Sequence, residues 1–415
     1  MQVGIIGLGY VGLPLAIAFA EAGHDVVGLD ADARKLERLR RGESDVEDVP
    51  ATQLAAASER LAATADHGDL AGCDAVLICV PTPLANHREP DLTYLVDAAT
   101  SLSPVLREGQ LVVLESTTYP GTTRDRLKPI LEESGLAAGR DFHLAYSPER
   151  IDPGRTDYTI RTTPKIVGGL TETCRDRAVE LYGLICDDVV AVSGPEAAEL
   201  SKLLENIFRS VNIALVNELA RLCERMEIDI WEVVDAAATK PFGFMRFEPG
   251  PGMGGHCLPV DPFYLAFAAR EHDFYTEFVE LAGKINQTQP HFCVQRIERA
   301  LNDAGKPVNG SRILLLGVAY KAGVGDLRES PALKIVRLLR GLGAELAYHD
   351  PHVPELAELD LRSTDLEEEL PRADIVCVVT AHSEVDYERV VADSPLVLDF
   401  RGVTRGIRAE NLVRL

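Results

Sequence analysis

Val3-Gly4-Ile5-Ile6-Gly7-Leu8-Gly9-Tyr10-Val11-Gly12 is the stretch whose reading decides the fold. A strand pattern, residues 2–6, ends in Gly7-x-Gly9-x-x-Gly12, and a helical pattern continues from Gly12 to Ala22. In a strand, turn and helix of this kind the first glycine permits the tight turn. The second lets a pyrophosphate approach the backbone, and the third lets the helix pack on the strand. The phosphates sit at the helix N-terminus, where unpaired N–H groups and the macrodipole favour anions. A second strand, residues 25–30, ends on Asp30, about twenty residues further on, where a carboxylate accepts adenosine ribose hydroxyls. The same charge repels a 2′-phosphate, so NAD is expected rather than NADP. A glycine-rich turn in an unrelated α/β protein is the alternative reading.

Outward from the fingerprint, strand and helix keep alternating. A charged helix is predicted over 32–41, and buried strands over 75–80, 111–115, 143–146 and 165–167. Apolar runs of this length separated by helical segments indicate a parallel, doubly wound sheet. From Gly194 the pattern changes. Residues 195 to about 227 form one helical repeat, with apolar positions at Leu200, Leu203, Leu204, Ile207, Val211, Ala214, Leu215 and Leu219. More helix follows to Ala238, then a Pro/Gly-rich loop, then a helical stretch from Phe263 to about Ala304. Near Gly305-Lys306-Pro307 the alternation restarts, with strands at 312–316, 345–349, 375–379 and 396–399 and a helix over 331–342. The expected fold is α/β: two Rossmann-like, doubly wound parallel-sheet domains, 1–193 and 305–415, joined by a central helical domain, 194–304.

Composition excludes several classes. A net charge of −23 is wrong for binding a nucleic-acid backbone, though a local basic pocket can still hold a phosphorylated small molecule. There is no apolar stretch near 18 residues. No charged leader precedes the first strand, so a cytoplasmic protein without a membrane segment is expected. Eight cysteines are scattered without a CxxC pair, which argues against both a disulfide framework and zinc, and no metal is expected.

Within the central region, Gly254-Gly255-His256-Cys257-Leu258-Pro259-Val260-Asp261-Pro262 places a thiol in a glycine-rich loop. In a chain that also binds a nicotinamide cofactor, such a thiol can trap an aldehyde covalently and carry an alcohol through to an acid. Taken alone, a lone cysteine is more commonly a packed core residue. Lys202 and Asn206, four apart on the long helix, share one face and could hold an oxyanion; by spacing alone an ordinary solvated face is the commoner reading. Glu149 follows a strand end, where catalytic groups gather, although most such glutamates pair with a nearby arginine. Asp261 either orders a water or caps the helix starting at Pro262. Lys321 and Arg328, beyond the carboxyl end of strand 312–316, are placed for phosphate recognition or are two solvated charges.

Together these motifs resemble the UDP-glucose/GDP-mannose dehydrogenase family. The matches run nearly end to end: Gly7–Gly12, Val80-Pro81-Thr82-Pro83, Glu115-Ser116-Thr117-Thr118-Tyr119-Pro120-Gly121-Thr122-Thr123 and Ser147-Pro148-Glu149-Arg150. They continue with Glu199-Leu200-Ser201-Lys202-Leu203-Leu204-Glu205-Asn206, the Cys257 loop and Asp326-Leu327-Arg328-Glu329-Ser330-Pro331. The resemblance implies NAD-dependent, four-electron oxidation of the C6 alcohol of a UDP-hexose to a uronic acid, in a homodimer formed on the central helices. It implies that Cys257 is the nucleophile, that Lys202 and Asn206 stabilise oxyanions, and that Thr117, Glu149 and Asp261 organise water and proton transfer. The implied cofactor set is Gly7, Gly9, Tyr10, Val11, Gly12, Asp30, Arg34, Thr82, Thr117 and Arg328. The implied substrate set is Glu149, Lys202, Asn206, Gly254, Lys321 and Arg401, with Arg246 reaching a neighbouring subunit's sugar site.

The stretch from Phe247 to Leu265 resembles the subgroup acting on UDP-N-acetylglucosamine. UDP-glucose members typically carry Ser, Tyr or Phe before the cysteine and Lys-Asp after the proline. UDP-N-acetylmannosamine members typically have Ala in place of Pro259 and Trp in place of Phe263. Gly323-Val324-Gly325 departs from the Asn/Thr-type residues common in the family between Lys321 and Asp326. The competing readings are a UDP-glucose or UDP-N-acetylmannosamine enzyme, a non-catalytic protein that binds NAD and UDP-sugar, and a one-step dehydrogenase that needs no cysteine.

Overall fold

The computed structural model describes residues 1–44, 46, 49–85, 89–151, 157–255 and 260–415. Cys257, with its neighbours His256, Leu258 and Pro259, therefore lies outside the described residues. The chain forms two compact units, residues 1–205 with 263–275, and residues 206–262 with 276–415.

The first unit is built on strands β1 (Gln2–Ile6), β2 (Asp25–Leu29), β3 (Leu61–Thr64), β4 (Ala75–Ile78), β5 (Leu111–Leu114), β6 (His143–Tyr146), β7 (Lys165–Gly169) and β8 (Val189–Val192). They form one sheet in the order β3-β2-β1-β4-β5-β6-β7-β8. The central strands are apolar throughout because both faces are covered. Along β4, Ala75 and Leu77 pack on the side of helix Gly12–Glu21, while Val76 and Ile78 pack on the side of helix Thr93–Leu102.

All the pairings in this sheet are parallel except β6 with β7, which is antiparallel. This refines the all-parallel expectation. A parallel pair needs a long crossover, usually helical, and the described residues between β6 and β7 contain no helix. β3 (Leu-Ala-Ala-Thr) and β8 (Val-Val-Ala-Val) are additional strands at the two edges of the sheet, four residues each and half-buried or exposed.

The second unit contains β9 (Arg312–Leu316), β10 (Glu345–His349), a small antiparallel hairpin of β11 (Glu355–Leu356) and β12 (Leu361–Arg362), β13 (Ile375–Val378), β14 (Val397–Asp399) and β15 (Leu412–Arg414). Its main sheet is parallel in the order β10-β9-β13-β14-β15. β9 again alternates between two cores, Ile313 and Leu315 on one face, Leu314 and Leu316 on the other.

The long helix runs Pro195–Met226, with Pro195 at its first position, where its missing N–H costs nothing. Its apolar residues divide between faces: Leu203, Ile207, Ala214 and Ala220 are buried, while Leu204, Phe208, Leu215 and Leu222 are exposed. The predicted helix from Phe263 to Ala304 is two helices, Asp261–Arg270 and Glu277–Asp303. Asp273 takes a left-handed φ of 53° between them, and Phe274 N–H bonds back to Ala269 O at 3.0 Å, which closes the first helix. Among the described residues no helix is long and apolar enough to cross a membrane.

Candidate active site

In the first unit the fingerprint lies at the carboxyl ends of β1 and β4, where the strand order reverses. Open α/β sheets bind ligands at this kind of switch point. Gly7 has φ 95°, and a Cβ there would stand 2.7 Å from Cys79 O. A Cβ on Gly12 would meet Gly7 O at 1.8 Å, whereas one on Gly9 would meet nothing within 4 Å. The first and last glycines thus serve the fold. The middle one leaves open space before the N-terminus of helix Gly12–Glu21, and a pyrophosphate fits that cradle. A cavity of about 150 Å³ opens beside it, lined by Leu8, Gly9, Tyr10, Lys35, Arg38 and Leu39 among others.

Asp30 is buried and accepts the N–H of Leu8 at 3.0 Å and of Asp32 at 3.0 Å. Lys35 Nζ lies 2.8 Å from the same carboxylate. Arg34 instead pairs with Asp32, the residue capping helix Ala33–Arg40, and its side chain stays exposed. Asp30→Ala is therefore expected to weaken NAD binding and relax discrimination against NADP, since Lys35 would lose the charge that offsets it. Titrations showing unchanged affinity for both cofactors would make Asp30 a purely structural residue.

Thr82 and Thr117, both expected at the cofactor, are joined: Thr82 Oγ1 donates to Thr117 O at 2.7 Å. Tyr264 OH donates to Thr82 O at 2.7 Å and fixes that turn from the other side.

Glu149 follows β6. One carboxyl oxygen accepts the N–H groups of Arg150 and Ile151, each at 2.7 Å, and the other lies 3.3 Å from Lys165 Nζ. Lys165 begins β7, and its Nζ stands 2.7 Å from Glu115 Oε2. Tyr182 OH donates to the second oxygen of Glu115. The arginine pairing expected for Glu149 is corrected here, because Arg150 Nη2 goes to Glu205 at 2.6 Å and Lys165 takes the carboxylate. Burial opposes the charge on Glu149, but Lys165, the Ile151 N–H and Lys202 hold its pKa below the usual carboxylate value. Burial pushes Glu115 up, against the pull of Lys165. Lys202 is buried on the long helix, which corrects the solvated-face reading.

In the second unit, Asn206 stands one turn beyond Lys202 on the same helix. Its Nδ2 donates to Asp261 Oδ2 at 2.5 Å. Asp261 is the first residue of its helix rather than a cap before it, and both side chains are buried. The glycine-rich stretch before Cys257 is anchored at several points. Asn217 Oδ1 accepts Gly250 N–H at 2.9 Å, and Gly255 N–H reaches Arg328 O at 3.0 Å. A Cβ on Gly254 would stand 2.8 Å from Tyr320 Cβ, and Gly255 adopts φ 91° against the Tyr320 ring. The loop leading to Cys257 thus leans on the turn after β9 that carries Lys321. Arg328 is clamped by Asp326 at 2.6 Å, and Arg401 lies against Gly250. Arg246 is held in its own chain by Asp235 at 2.7 Å and Glu248 at 3.0 Å.

Sequence reasoning missed Glu115, Lys165, Tyr182 and Tyr264. The available signal was a lysine heading a strand whose other residues are all buried and uncharged.

Three successive domain models of the UDP-glucose/GDP-mannose dehydrogenase family match the chain: the NAD binding domain at residues 1–185, the central domain at 196–288 and the UDP binding domain at 314–406. The chain belongs to this family. The dehydrogenase is 38% identical to a UDP-N-acetyl-D-glucosamine 6-dehydrogenase of Pseudomonas aeruginosa, over 85% of this chain and 83% of that one. It is 34% identical to a UDP-N-acetyl-D-mannosamine dehydrogenase of Pyrococcus horikoshii, over 98% and 100%. A solved structure of a UDP-D-ManNAc dehydrogenase from Pyrococcus horikoshii matches with a TM-score of 0.91 at 33% identity, covering 100% of this chain and 99% of that one. The dehydrogenase is thus an NAD-dependent oxidoreductase of nucleotide sugars, with NAD as its cofactor.

Proposed function

We propose that the chain is a UDP-N-acetylglucosamine 6-dehydrogenase that oxidises the C6 alcohol to the carboxylate. The observation carrying this reading is the Phe247–Leu265 sequence around Cys257, where Pro259 and Phe263 replace the residues typical of the mannosamine subgroup, and His256 and Val260 those typical of the glucose subgroup. The three-part organisation, residues 1–193, 194–304 and 305–415, belongs to the same reading, as does a reducing cytoplasmic setting that keeps Cys257 a free thiol.

NAD, when bound, supplies the acceptor for each hydride leaving C6. The chain's own groups do the rest. Oxidation of the alcohol releases a proton and yields an aldehyde, and the Cys257 thiolate adds to that carbonyl carbon, so the aldehyde never leaves. Loss of a second hydride gives a thioester, and water attacks it to release the acid and the thiol. The Lys202 ammonium, with Asn206, offsets negative charge on the C6 oxygen at each stage and lowers the pKa of the thiol. Glu149, kept ionised by Lys165, and Asp261 accept protons from the alcohol and the attacking water, with Thr117 orienting that water. Lys321 and Arg401 bind the UDP portion, Gly254 belongs to the substrate-binding set, and Arg328 reaches the NAD phosphates. Arg246 would have to leave Asp235 and Glu248 to reach a partner subunit's sugar site, the role the resemblance implies.

The expected result is two NADH formed per UDP-N-acetylglucosamine consumed. A ratio of one sinks the covalent mechanism, and turnover confined to UDP-glucose or UDP-N-acetylmannosamine sinks the sugar assignment. The mannosamine reading is favoured by the Pyrococcus horikoshii relative, so that sugar belongs in the panel.

A homodimer on the long helix completes the proposal. Leu204 and Leu215 are 63% and 53% exposed, and with Phe208 and Leu222 they make an apolar stripe at near-heptad spacing. Light scattering at micromolar concentration is expected to give twice the chain mass, and a fully active monomer would remove this proposal.

A further inference from the structure

His382 lies four residues beyond β13 and is fully buried. Its Nδ1 stands 3.2 Å from Gly323 N, and its Nε2 stands 3.1 Å from Asp350 Oδ2. The backbone N–H of Gly323 can only donate, so Nδ1 must present its lone pair. The ring hydrogen is then on Nε2, facing a carboxylate that only accepts. The two contacts therefore fix a neutral imidazole in one tautomer.

Asp350, after β10, is in turn immobile. It accepts N–H bonds from Val318 at 2.7 Å and Ala319 at 3.1 Å, in the turn after β9, and from His352 at 2.8 Å and Val353 at 3.1 Å. Burial works against its charge, but the His382 bond and these backbone donors hold Asp350 at about 2. Tyr387 OH binds His382 O at 3.0 Å, and Thr380 Oγ1 binds Ala319 O. The other titratable groups around the ring are His352, whose ring centroid lies 5.0 Å away, and Glu384, 3.0 Å from His352 Nε2. Donor atoms of His352, His382 and Glu384 come within 4.8 Å of one another, close enough for a cation. His382 nevertheless has both nitrogens committed to protein partners.

We propose that His382 is a positioning residue for the nucleotide end of the substrate site, holding the 320–328 loop in place through Gly323 while its Nδ1 is unprotonated. That loop carries Lys321, and the stretch leading to Cys257 packs on its Tyr320 and Arg328. Gly323 also explains the departure from the family pattern: it has φ 75°, a left-handed conformation natural to glycine, and turns its N–H onto the imidazole. Protonation of Nδ1 would set an N–H against an N–H, and the loop would lose its anchor.

The inference rests on the second unit being the UDP-binding end, and the test separates the two. UDP-N-acetylglucosamine is titrated calorimetrically into the full chain without NAD; its diphosphate is esterified at both ends and does not ionise in this range. Wild type is expected to lose about tenfold in affinity as the pH falls from about 8 to about 5, because a proton on Nδ1 would displace the Gly323 N–H. His382→Gln, whose amide oxygen can accept the Gly323 N–H without titrating, should bind within about threefold of wild type at high pH. Its profile should be flat. His382→Phe should bind about tenfold more weakly at every pH, with NAD affinity unchanged. A pH-independent wild-type affinity overturns the proposal without recourse to any variant. So does a His382→Gln profile that follows wild type, or a folded Gln variant as weak as the Phe variant. Wild type that binds no UDP-sugar at any pH overturns the UDP-end reading along with it.

Discussion

Cys257→Ser is expected to lower acid formation by about a thousandfold or more, roughly 4 kcal/mol of barrier. Serine keeps the shape of the side chain but stays almost wholly protonated near neutral pH, so it cannot trap the aldehyde as a thiolate does. The first hydride transfer needs only NAD, a base and correct positioning, so a slow first turnover of intermediate should survive. Affinity for NAD and UDP-sugar should stay near wild type, because the Rossmann cradle and the Lys321 loop are untouched. Steady-state NADH release with product analysis by chromatography checks this. A variant keeping more than about a tenth of wild-type acid formation, a loss of about 1.4 kcal/mol or less, would end covalent catalysis as an explanation.

Lys165→Met is expected to destabilise the first unit by about 3–5 kcal/mol at neutral pH, the range for breaking one partner out of a buried ion pair. Methionine fills nearly the same volume, so the loss reports charge rather than a cavity. It strands Glu115 and Glu149, whose shared cation is itself 5% exposed. The pH dependence carries the sign. In wild type, Glu149 has a folded pKa below its ordinary value, so its contribution is present above that ordinary value and is lost as pH falls. Without Lys165 both carboxyls shift upward, and protonation relieves them. The gap between variant and wild type should therefore narrow on acidification. Urea unfolding across pH tests this, and adding Glu115→Gln should recover part of the loss. A deficit below about 1 kcal/mol, or one indifferent to pH, would show that the cluster is not ionised as drawn.

The sequence by itself determined the elements that depend on contiguous residues. β4, β5 and β13, and β1 and β9 after their first residues Gln2 and Arg312, are buried on both faces, so each reads as an apolar run. Helix Pro195–Met226 has no internal breaker, and the glycine fingerprint encodes its own turn. The ordered motifs made the family legible, and with it the residues proposed to carry the chemistry. What the residues alone left open was how those side chains are partnered. Edge strands β3 and β15 have weak local signals because only one neighbour and partial burial define them, whereas β8, Val-Val-Ala-Val, is apolar in sequence yet half-buried or exposed. The antiparallel turn-back of β7 depends on a connection, and periodicity is blind to connections.

Only tertiary structure decided the electrostatics. Glu115 and Lys165 are 50 residues apart in the chain and 2.7 Å apart in space. Asn206 and Asp261, 55 apart, share a hydrogen bond, and His382 reaches Gly323 across 59 residues. A charged or polar side chain shows no preference for a partner at such separations until strands and helices are packed. Once it is buried, the cost of leaving it unpaired is several kcal/mol, and this enforces the pairing. Lys202 looked like surface until the helix that carries it was placed. Burial then made it a cation beside Glu149, a property of the fold that no spacing rule contains.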